Sequence, residues 1–398
     1  MRDLKHLGYL EDLLQEANNE LIQKAKRDGR VCIASVCENI PEPLLNLGNA
    51  FSVRLTAPNT GSMDIATYYM TGLLCETSRA LLERAIEGGF NFADGVVSPD
   101  GCTMINRCVE NMELLQTMGK GNEHFFIEFM EIPLKGDDNG VGLLVKQCAN
   151  HILKPLKENY GIDTSDAAIR QAVGVHNHVC ELIREIGDFR KEEYPRITGY
   201  EFHILTLATY VCPKDLLIPI LEETLEEVRN REPEPAKARA RVMVVGSEGD
   251  DSGFIKLIEE CGAFVCADRF CFGSLPGRNP ISLNDDEDAL TQVCAHYTYS
   301  CQCPRMMNMA KVYGRKQYVA ELAKEYNADG ILYDQIKFCD PWAYERMLGS
   351  YMLREDYGYP VLSVDRPYNI KSSAGQMRTR VQAFVESIEL KKLQGGAK

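Results

Sequence analysis

One sequence pattern occurs twice in this chain, as ADGVVSPDGC at residues 93–102 and as ADGILYDQIKFC at residues 328–339. In each copy a short apolar run is typical of a buried strand, and a cysteine, Cys102 or Cys339, follows the carboxyl end of that strand. Ligands of open parallel sheets bind in the crevice at the carboxyl ends of the strands. The repeat therefore predicts a duplicated α/β scaffold that carries soft-ligand metal chemistry.

Length, charge and hydropathy limit the function classes. A chain of 398 residues predicts more than one domain. The formal net charge is -14 and no basic stripe is visible, which argues against nucleic acid as a partner. No apolar run approaches the length of a membrane span, and the amino terminus is charged. We expect a cytoplasmic protein without a membrane partner.

The order of strand-like and helical patterns along the sequence predicts two doubly wound parallel-sheet units joined by a helical segment. Leucines at helical spacing predict one amphipathic helix over residues 4–28, and the run RVMVVG at 241–246 is typical of a strand buried on both faces. The proline and charge cluster at 232–235 indicates a linker. The predicted segments are an N-terminal helix (1–29), a first α/β domain (30–139), a helical segment (140–237) and a second α/β domain (238–398).

Within the two units we predict further elements from the same patterns. In the first unit they are a strand over 30–35 and a helix over 73–88 that carries Cys75 in its first turn. In the second unit they are helices over 253–261 and 306–326 and strands over 263–267, 331–333 and 360–364.

Several familiar site patterns are missing from the sequence. The stretch GSEGD at 246–250 fits neither the dinucleotide fingerprint nor the P-loop, and no Gly-x-Ser-x-Gly nucleophile elbow occurs. His176 and His178 are two residues apart and would face different directions on a helix, so they do not predict a shared metal.

Fifteen cysteines are many for such a chain, and we expect them to be reduced. Five lie within helical patterns and are interpreted as packing residues: Cys148, Cys180, Cys212, Cys261 and Cys294. The candidate ligands are Cys75, Cys102 and Cys339, followed by Cys271, Cys301 and Cys303. Three thiolates from separate loops can hold a cubane and leave its fourth iron open to a substrate oxygen. Coincidental core cysteines, or a zinc site that uses the pair Cys301 and Cys303, are the alternatives.

Four motifs carry a resemblance to a known family: CETSR at 75–79, the stretch at 93–102, KFCDP at 337–341, and GQ at 375–376 with TRVQAF at 379–384. With them the chain resembles subunits of the 2-hydroxyacyl-CoA dehydratase and benzoyl-CoA reductase family, which also contains double-cubane cluster reductases.

The resemblance implies two flavodoxin-like units, with Cys75, Cys102 and Cys339 as the thiolate ligands of a 4Fe–4S cluster. It implies an iron–sulfur subunit of a low-potential radical enzyme that dehydrates a 2-hydroxyacyl-CoA or reduces an aryl-CoA. The implied partners are the acyl-CoA, a homologous subunit in a heterodimer or a second copy in a homodimer, and an ATP-dependent iron–sulfur activator that supplies the electron.

Two stretches depart from the dehydratase pattern and leave alternative functions open. The stretches FCFG at 270–273 and SCQCP at 300–304 add Cys271, Cys301 and Cys303, which resemble the double-cubane reductases of small molecules. With the first three cysteines they would hold an 8Fe double-cubane cluster. A third hypothesis is a non-catalytic structural partner subunit. Ser35, after the first strand, is the candidate to contact a ligand or the open iron, and its alternative role is to cap the next helix.

Overall fold

The chain folds around two four-stranded parallel sheets in the computed structural model, which describes residues 3–233, 238–273 and 279–394. The strands of the first sheet are β1 (Val31–Ser35), β2 (Ala50–Arg54), β3 (Gly95–Asp100) and β4 (Phe126–Glu131). The strands of the second sheet are β5 (Ala240–Gly246), β6 (Ala263–Arg269), β7 (Gly330–Ile336) and β8 (Val361–Arg366).

Both sheets have the same strand order, β2-β1-β3-β4 in the first and β6-β5-β7-β8 in the second. The strands β3 and β7, which carry the repeated pattern, therefore occupy equivalent positions. The prediction of two flavodoxin-like α/β units is confirmed.

The inner strands are buried on both faces, as their apolar runs predict. In β5, Val242 and Val244 pack into the core on one face of the sheet, and Met243 and Val245 pack into the core on the other. Helices on both faces of a parallel sheet produce this continuous apolar pattern.

The amino-terminal segment contains two helices, α1 (Leu7–Leu13) and α2 (Glu20–Arg27), where one helix over 4–28 was predicted. The break occurs because the Asn19 side chain accepts hydrogen bonds from the N–H groups of Leu21 and Ile22, and so caps the start of α2. The prediction of a single helix was wrong.

Thirteen further α-helices lie within the described ranges. Those up to residue 233 are α3 (Asp64–Tyr69), α4 (Glu76–Ile86), α5 (Thr103–Leu114), α6 (Asp138–Cys148), α7 (Lys154–Tyr160), α8 (Asp166–Asp188), α9 (Gly199–Val211) and α10 (Lys214–Asn230). Those after residue 238 are α11 (Ser252–Glu260), α12 (Ala289–Ser300), α13 (Met309–Glu325), α14 (Asp340–Glu355) and α15 (Ala374–Leu393). A π-helical turn, Ala149–Leu153, joins α6 to α7. No helix within these ranges combines the length and apolar composition needed to cross a bilayer.

The helices tie the segments of the chain together. Leu10 of α1, Phe202 of α9 and Leu221 of α10 share one apolar core in the helical segment. The helix α12 comes from the second half of the chain but packs on α6 of the first unit, where Cys294 and Cys148 are both completely buried.

The carboxyl ends of the strands of both sheets meet at one place. The Glu76 N–H before α4 donates to the Lys337 carbonyl after β7 at 3.4 Å. The Arg54 guanidinium at the end of β2 donates to the Cys271 carbonyl after β6 at 2.5 Å. The crevice predicted at the strand ends is therefore shared by the two units.

Candidate functional site

Three of the predicted ligand residues lie together in the shared crevice. Each immediately precedes a helix: Cys75 precedes α4, Cys102 precedes α5 and Cys339 precedes α14. We call Cys75, Cys102 and Cys339 the first thiol group. Its members come from three distant segments, and each is close enough to another for their charges to interact.

Each of these sulfurs lies beside the backbone N–H groups of the first turn of its helix, although no side-chain cap hydrogen bond forms at any of the three helix starts. The neighbouring N–H groups are those of Thr77 and Ser78 at Cys75, Met104 and Ile105 at Cys102, and Trp342 at Cys339, and each lowers the pKa of its thiol. N–H groups and the positive end of the helix dipole both stabilise negative charge on sulfur. Three such sulfurs converge here, which suits the first thiol group to the thiolate form that binds metal.

The thiols of Cys75 and Cys339 interact with each other. The interaction with Cys339 lowers the pKa of Cys75 to about 7, against the opposing effect of burial. The same interaction and burial raise the pKa of Cys339. Burial raises the pKa of Cys102. Cys75 is thus the member of the group that ionises most readily, and a metal would displace the protons of the other two thiols.

The positions of the possible metal ligands bear on whether the crevice could hold a single metal ion. No three His, Cys, Asp or Glu side chains of the described ranges lie close enough to hold one metal ion. A cubane spaces its thiolates more widely than one ion does, and iron–sulfur clusters take thiolates from separate loops. The described residues thus offer no single-ion site at the first thiol group, and the alternative of a zinc site at Cys301 and Cys303 gains no support from the geometry.

The remaining predicted ligands lie in the same crevice, together with a cysteine that the sequence analysis missed. Cys37 follows β1, Cys271 follows β6, and Cys301 and Cys303 follow α12. We call these four residues the second thiol group. Charge on Cys37 and on Cys301 raises the pKa of Cys303, in addition to burial, and charge on Cys303 raises that of Cys271.

One asparagine links two members of the second thiol group. The Cys301 thiol donates to Asn39 Oδ1 at 3.0 Å, and Asn39 Nδ2 donates to Cys37 Sγ at 3.5 Å. The Cys303 N–H donates to Cys301 Sγ at 3.5 Å. Cys37 has a φ of 69°, a left-handed conformation that is uncommon for any residue except glycine. The available signal for Cys37 was its position, because it follows a strand end as Cys102 and Cys339 do.

Two buried arginines lie beside the second thiol group. Arg54 is 5% exposed and pairs with Glu248 at 3.3 Å, and charge on Cys37 and on Cys271 raises its pKa along with that pair. Arg269 is 1% exposed and interacts with Cys271. The Nε atoms of both arginines, and Nη1 of Arg269, are buried and have no hydrogen-bond partner. The charges of both arginines interact with nearby thiols and carboxylates.

Three carboxyl groups complete the crevice. Burial raises the pKa of Glu38 and of Glu248, and it raises that of Asp250 to about 7. The Tyr368 hydroxyl donates to Asp250 at 2.5 Å, while the Tyr368 N–H donates to Glu76 at 2.7 Å. Asp250 is therefore connected by Tyr368 to the residue that follows Cys75.

Ser35, the predicted contact residue, is the last residue of β1 and is buried. It is in register with Arg54 of β2 and Val97 of β3. It does not cap the next helical turn, Glu42–Leu45, which Pro41 precedes without a side-chain cap. Its predicted contact with a ligand stays a prediction.

A family model described as "2-hydroxyglutaryl-CoA dehydratase, D-component" matches residues 37–388. The matched range contains every strand of the two sheets except β1 and includes every cysteine of the two thiol groups. The chain belongs to this family. The resemblance drawn from its motifs is thereby confirmed.

Curated relatives of this dehydratase-family chain match most of its length at low identity. The (R)-phenyllactyl-CoA dehydratase beta subunit of Clostridium sporogenes is 22% identical over 389 residues, which cover 96% of this chain and 99% of the relative. The beta subunit of the (R)-2-hydroxyglutaryl-CoA dehydratase of Acidaminococcus fermentans is 21% identical, covering 92% of this chain and 95% of the relative. A benzoyl-CoA reductase subunit of Thauera aromatica is 23% identical, covering 80% of each chain. The family thus includes subunits of both dehydratases and a reductase of CoA thioesters.

Proposed function

We propose that this chain is the iron–sulfur subunit of a low-potential radical enzyme that acts on an acyl-CoA thioester. The reaction is dehydration of a 2-hydroxyacyl-CoA or reduction of an aryl-CoA. The observation that carries the proposal is the first thiol group, in which three cysteines at three helix starts converge in one crevice. The names of the relatives, which are subunits acting on CoA thioesters, support this choice of substrate.

The first thiol group would hold a 4Fe–4S cluster. When bound, such a cluster supplies a transferable electron and, with three thiolate ligands, one iron open to a substrate oxygen. The chain places the three cysteines at helix starts, where Cys75 is only 7% exposed and Cys102 and Cys339 are partly exposed. These three cysteines fit the cluster because iron–sulfur clusters are held by cysteine thiolates.

Removal of a hydroxyl group also requires a proton, and the crevice contains a group that can carry one. Burial raises the pKa of Asp250 to about 7, so this carboxyl holds its proton near neutral pH. The Tyr368 hydroxyl fixes the orientation of Asp250. Both properties suit Asp250 to proton transfer in the proposed dehydration.

The proposed partners follow from the same assignment. Three relatives are named as subunits, which favours a homologous partner subunit for this chain, in a heterodimer or a homodimer. An ATP-dependent iron–sulfur activator would supply the electron to the complex.

The proposal is tested on anaerobically purified protein with any subunit that co-purifies. We expect about four irons and about four sulfides bound through the first thiol group. Addition of a 2-hydroxyacyl-CoA or benzoyl-CoA should change the electron paramagnetic resonance spectrum, and the saturated acyl-CoA should not. Protein without iron after anaerobic reconstitution would instead favour a non-catalytic structural partner subunit.

A second candidate function is a double-cubane reductase of small molecules, with an 8Fe cluster held by Cys75, Cys102, Cys339, Cys271, Cys301 and Cys303. One observation favours it: Glu248 interacts with Cys102 of the first thiol group and with Cys271 of the second, so the two groups share one crevice. Such a protein would show no spectral response to any CoA thioester.

A further inference from the structure

The second thiol group has four members, which differs from the three of the first group. Three separate segments deliver them: Cys37 from the end of β1, Cys271 from the end of β6, and Cys301 and Cys303 from the segment after α12. Cys271, Cys301 and Cys303 are each less than 10% exposed. Asn39 ties Cys37 to Cys301, so the segment after β1 belongs to the same cluster of sulfurs.

We propose that the second thiol group is a separate metal site, which binds an iron–sulfur cluster through all four cysteines. Four thiolates match the complete ligation of a cubane. The site is distinct from a six-cysteine double cubane because it uses Cys37 and is complete without any member of the first thiol group.

The buried arginines provide an independent reason for an anionic group at this place. Unpaired donors of a buried guanidinium are unfavourable, because the lost hydrogen bonds to water are not replaced. Arg54 Nε, Arg269 Nε and Arg269 Nη1 are such donors. A cluster with four thiolates is anionic and offers sulfur acceptors to these two arginines, whose charges interact with Cys271. The contacts of Arg54 with Glu248 and the Cys271 carbonyl, and of Arg269 with the Gln302 carbonyl, leave the three donors without a partner.

Complete ligation defines the role of this site. With four thiolates no iron is open, so the cluster cannot bind substrate and is limited to electron transfer. It would accept one electron from a low-potential iron–sulfur donor, which is oxidised, and pass that electron to the cluster at the first thiol group. This role rests on the proposed function, but the existence of the site does not.

The test compares single substitutions in the anaerobically purified protein with its co-purifying subunit. The variants are Cys37→Ala, Cys303→Ala and Cys75→Ala, and Cys32→Ala is the matched control, because Cys32 lies on β1 and is completely buried. The measurements are iron and sulfide per chain, Mössbauer spectra, and the circular dichroism and unfolding midpoint of each variant.

We expect about eight irons per chain in the wild type and the control, and about four in each of the other three variants. The Mössbauer spectra should assign the irons left in Cys37→Ala and in Cys303→Ala to one site, and those left in Cys75→Ala to the other. A folded Cys37→Ala protein with unchanged iron would overturn the proposal and assign Cys37 to packing. Loss of all iron from folded Cys75→Ala and folded Cys37→Ala alike would also overturn it, since the clusters would then be one unit.

The two proposals fail in different ways. A wild type with about four irons, all lost on substitution of Cys75 and none lost on substitution of Cys37, would refute the second site and leave the proposed function standing. About eight irons divided between the two groups, without a spectral response to CoA thioesters, would support the second site and refute the proposed substrate.

Discussion

The side chains of Cys75 and Cys339 interact with each other where the two α/β units meet, beside the hydrogen bond from the Glu76 N–H to the Lys337 carbonyl at 3.4 Å. Cys75 precedes a helix of the first unit and Cys339 precedes a helix of the second. Neither residue can keep its position relative to the other unless both units keep theirs. A metal held by both sulfurs would therefore also stabilise the contact between the units.

Substitution of any member of the first thiol group should remove its cluster. Cys75→Ser, Cys102→Ser and Cys339→Ser should each lose about four irons per chain, because three thiolates are the minimum for this kind of ligation. Iron and sulfide analysis of anaerobic protein measures the effect.

The matched control is Cys180→Ser. Cys180 is also buried, but it lies on α8 and its sulfur contacts His176 Nε2 at 3.3 Å. Its iron content should equal that of the wild type. Equal iron in all four variants would contradict the ligand assignment.

The low pKa of Cys75 should be visible in its reactivity. In metal-free protein, alkylation of Cys75 by iodoacetamide should increase with a midpoint near pH 7, whereas Cys339 should react only at higher pH. Cys339→Ala removes the thiol whose interaction lowers the pKa of Cys75 and should move the Cys75 midpoint towards that of an ordinary thiol. Mass spectrometry of peptides after timed labelling measures both sites, and an unchanged midpoint in the variant would refute the stated cause.

The positions of several strands could be predicted from the sequence because the apolar run of a buried strand lies within one short stretch. A buried parallel strand produces a continuous apolar run, and this located β5, β6 and β7 within a few residues. Weaker signals were missed: β4 (Phe126–Glu131) is only partly buried along most of its length, and β2 was not predicted.

The first thiol group was predicted because each cysteine follows a strand or precedes a helix within one segment. Cys37, Asn39 and Arg54 were not singled out, although Cys37 follows a strand end too. Their importance arises from contacts with residues more than 200 positions away, such as the contact between Asn39 and Cys301. No short stretch of sequence shows that these residues lie together in the fold. This part of the site could therefore be found only in the structure.

A buried ion network supports the loop that carries Cys301 and Cys303. Arg315 of α13 donates to both carboxylate oxygens of Glu345 on α14, at 3.1 and 2.9 Å, and to the Met306 carbonyl at 2.7 Å. Lys316 lies 2.6 Å from the same carboxylate. Glu345→Gln leaves two buried cations with one neutral acceptor, and should destabilise the protein by about 3–5 kcal/mol.

Denaturant unfolding of the Glu345→Gln variant measures this loss. The control is Glu355→Gln at the exposed end of the same helix, which should unfold at the wild-type denaturant concentration. If both variants unfolded alike, the network would contribute nothing to stability.

The buried carboxyl of Asp250 should make stability depend on pH. Its pKa is about 7 in the folded protein, and about 4 is expected for the unfolded chain. Between these values the unfolded chain releases the proton first, so stability falls as pH rises from about 4 to about 7 and stays low above that range. Asp250→Asn removes this loss and keeps an oxygen acceptor for Tyr368. The variant should therefore gain in unfolding midpoint relative to the wild type at pH 8, and gain little at pH 5.

Two comparisons isolate Asp250 as the source of that difference. Asp356→Asn, at an exposed position, should show no dependence of its midpoint shift on pH. Other buried carboxyls, such as Glu259, titrate alike in the wild type and the Asp250→Asn variant, so their contribution cancels. An Asp250→Asn gain that is equal at both pH values would show that this carboxyl is not protonated in the folded protein at neutral pH, and would remove it as the proton carrier of the proposed reaction.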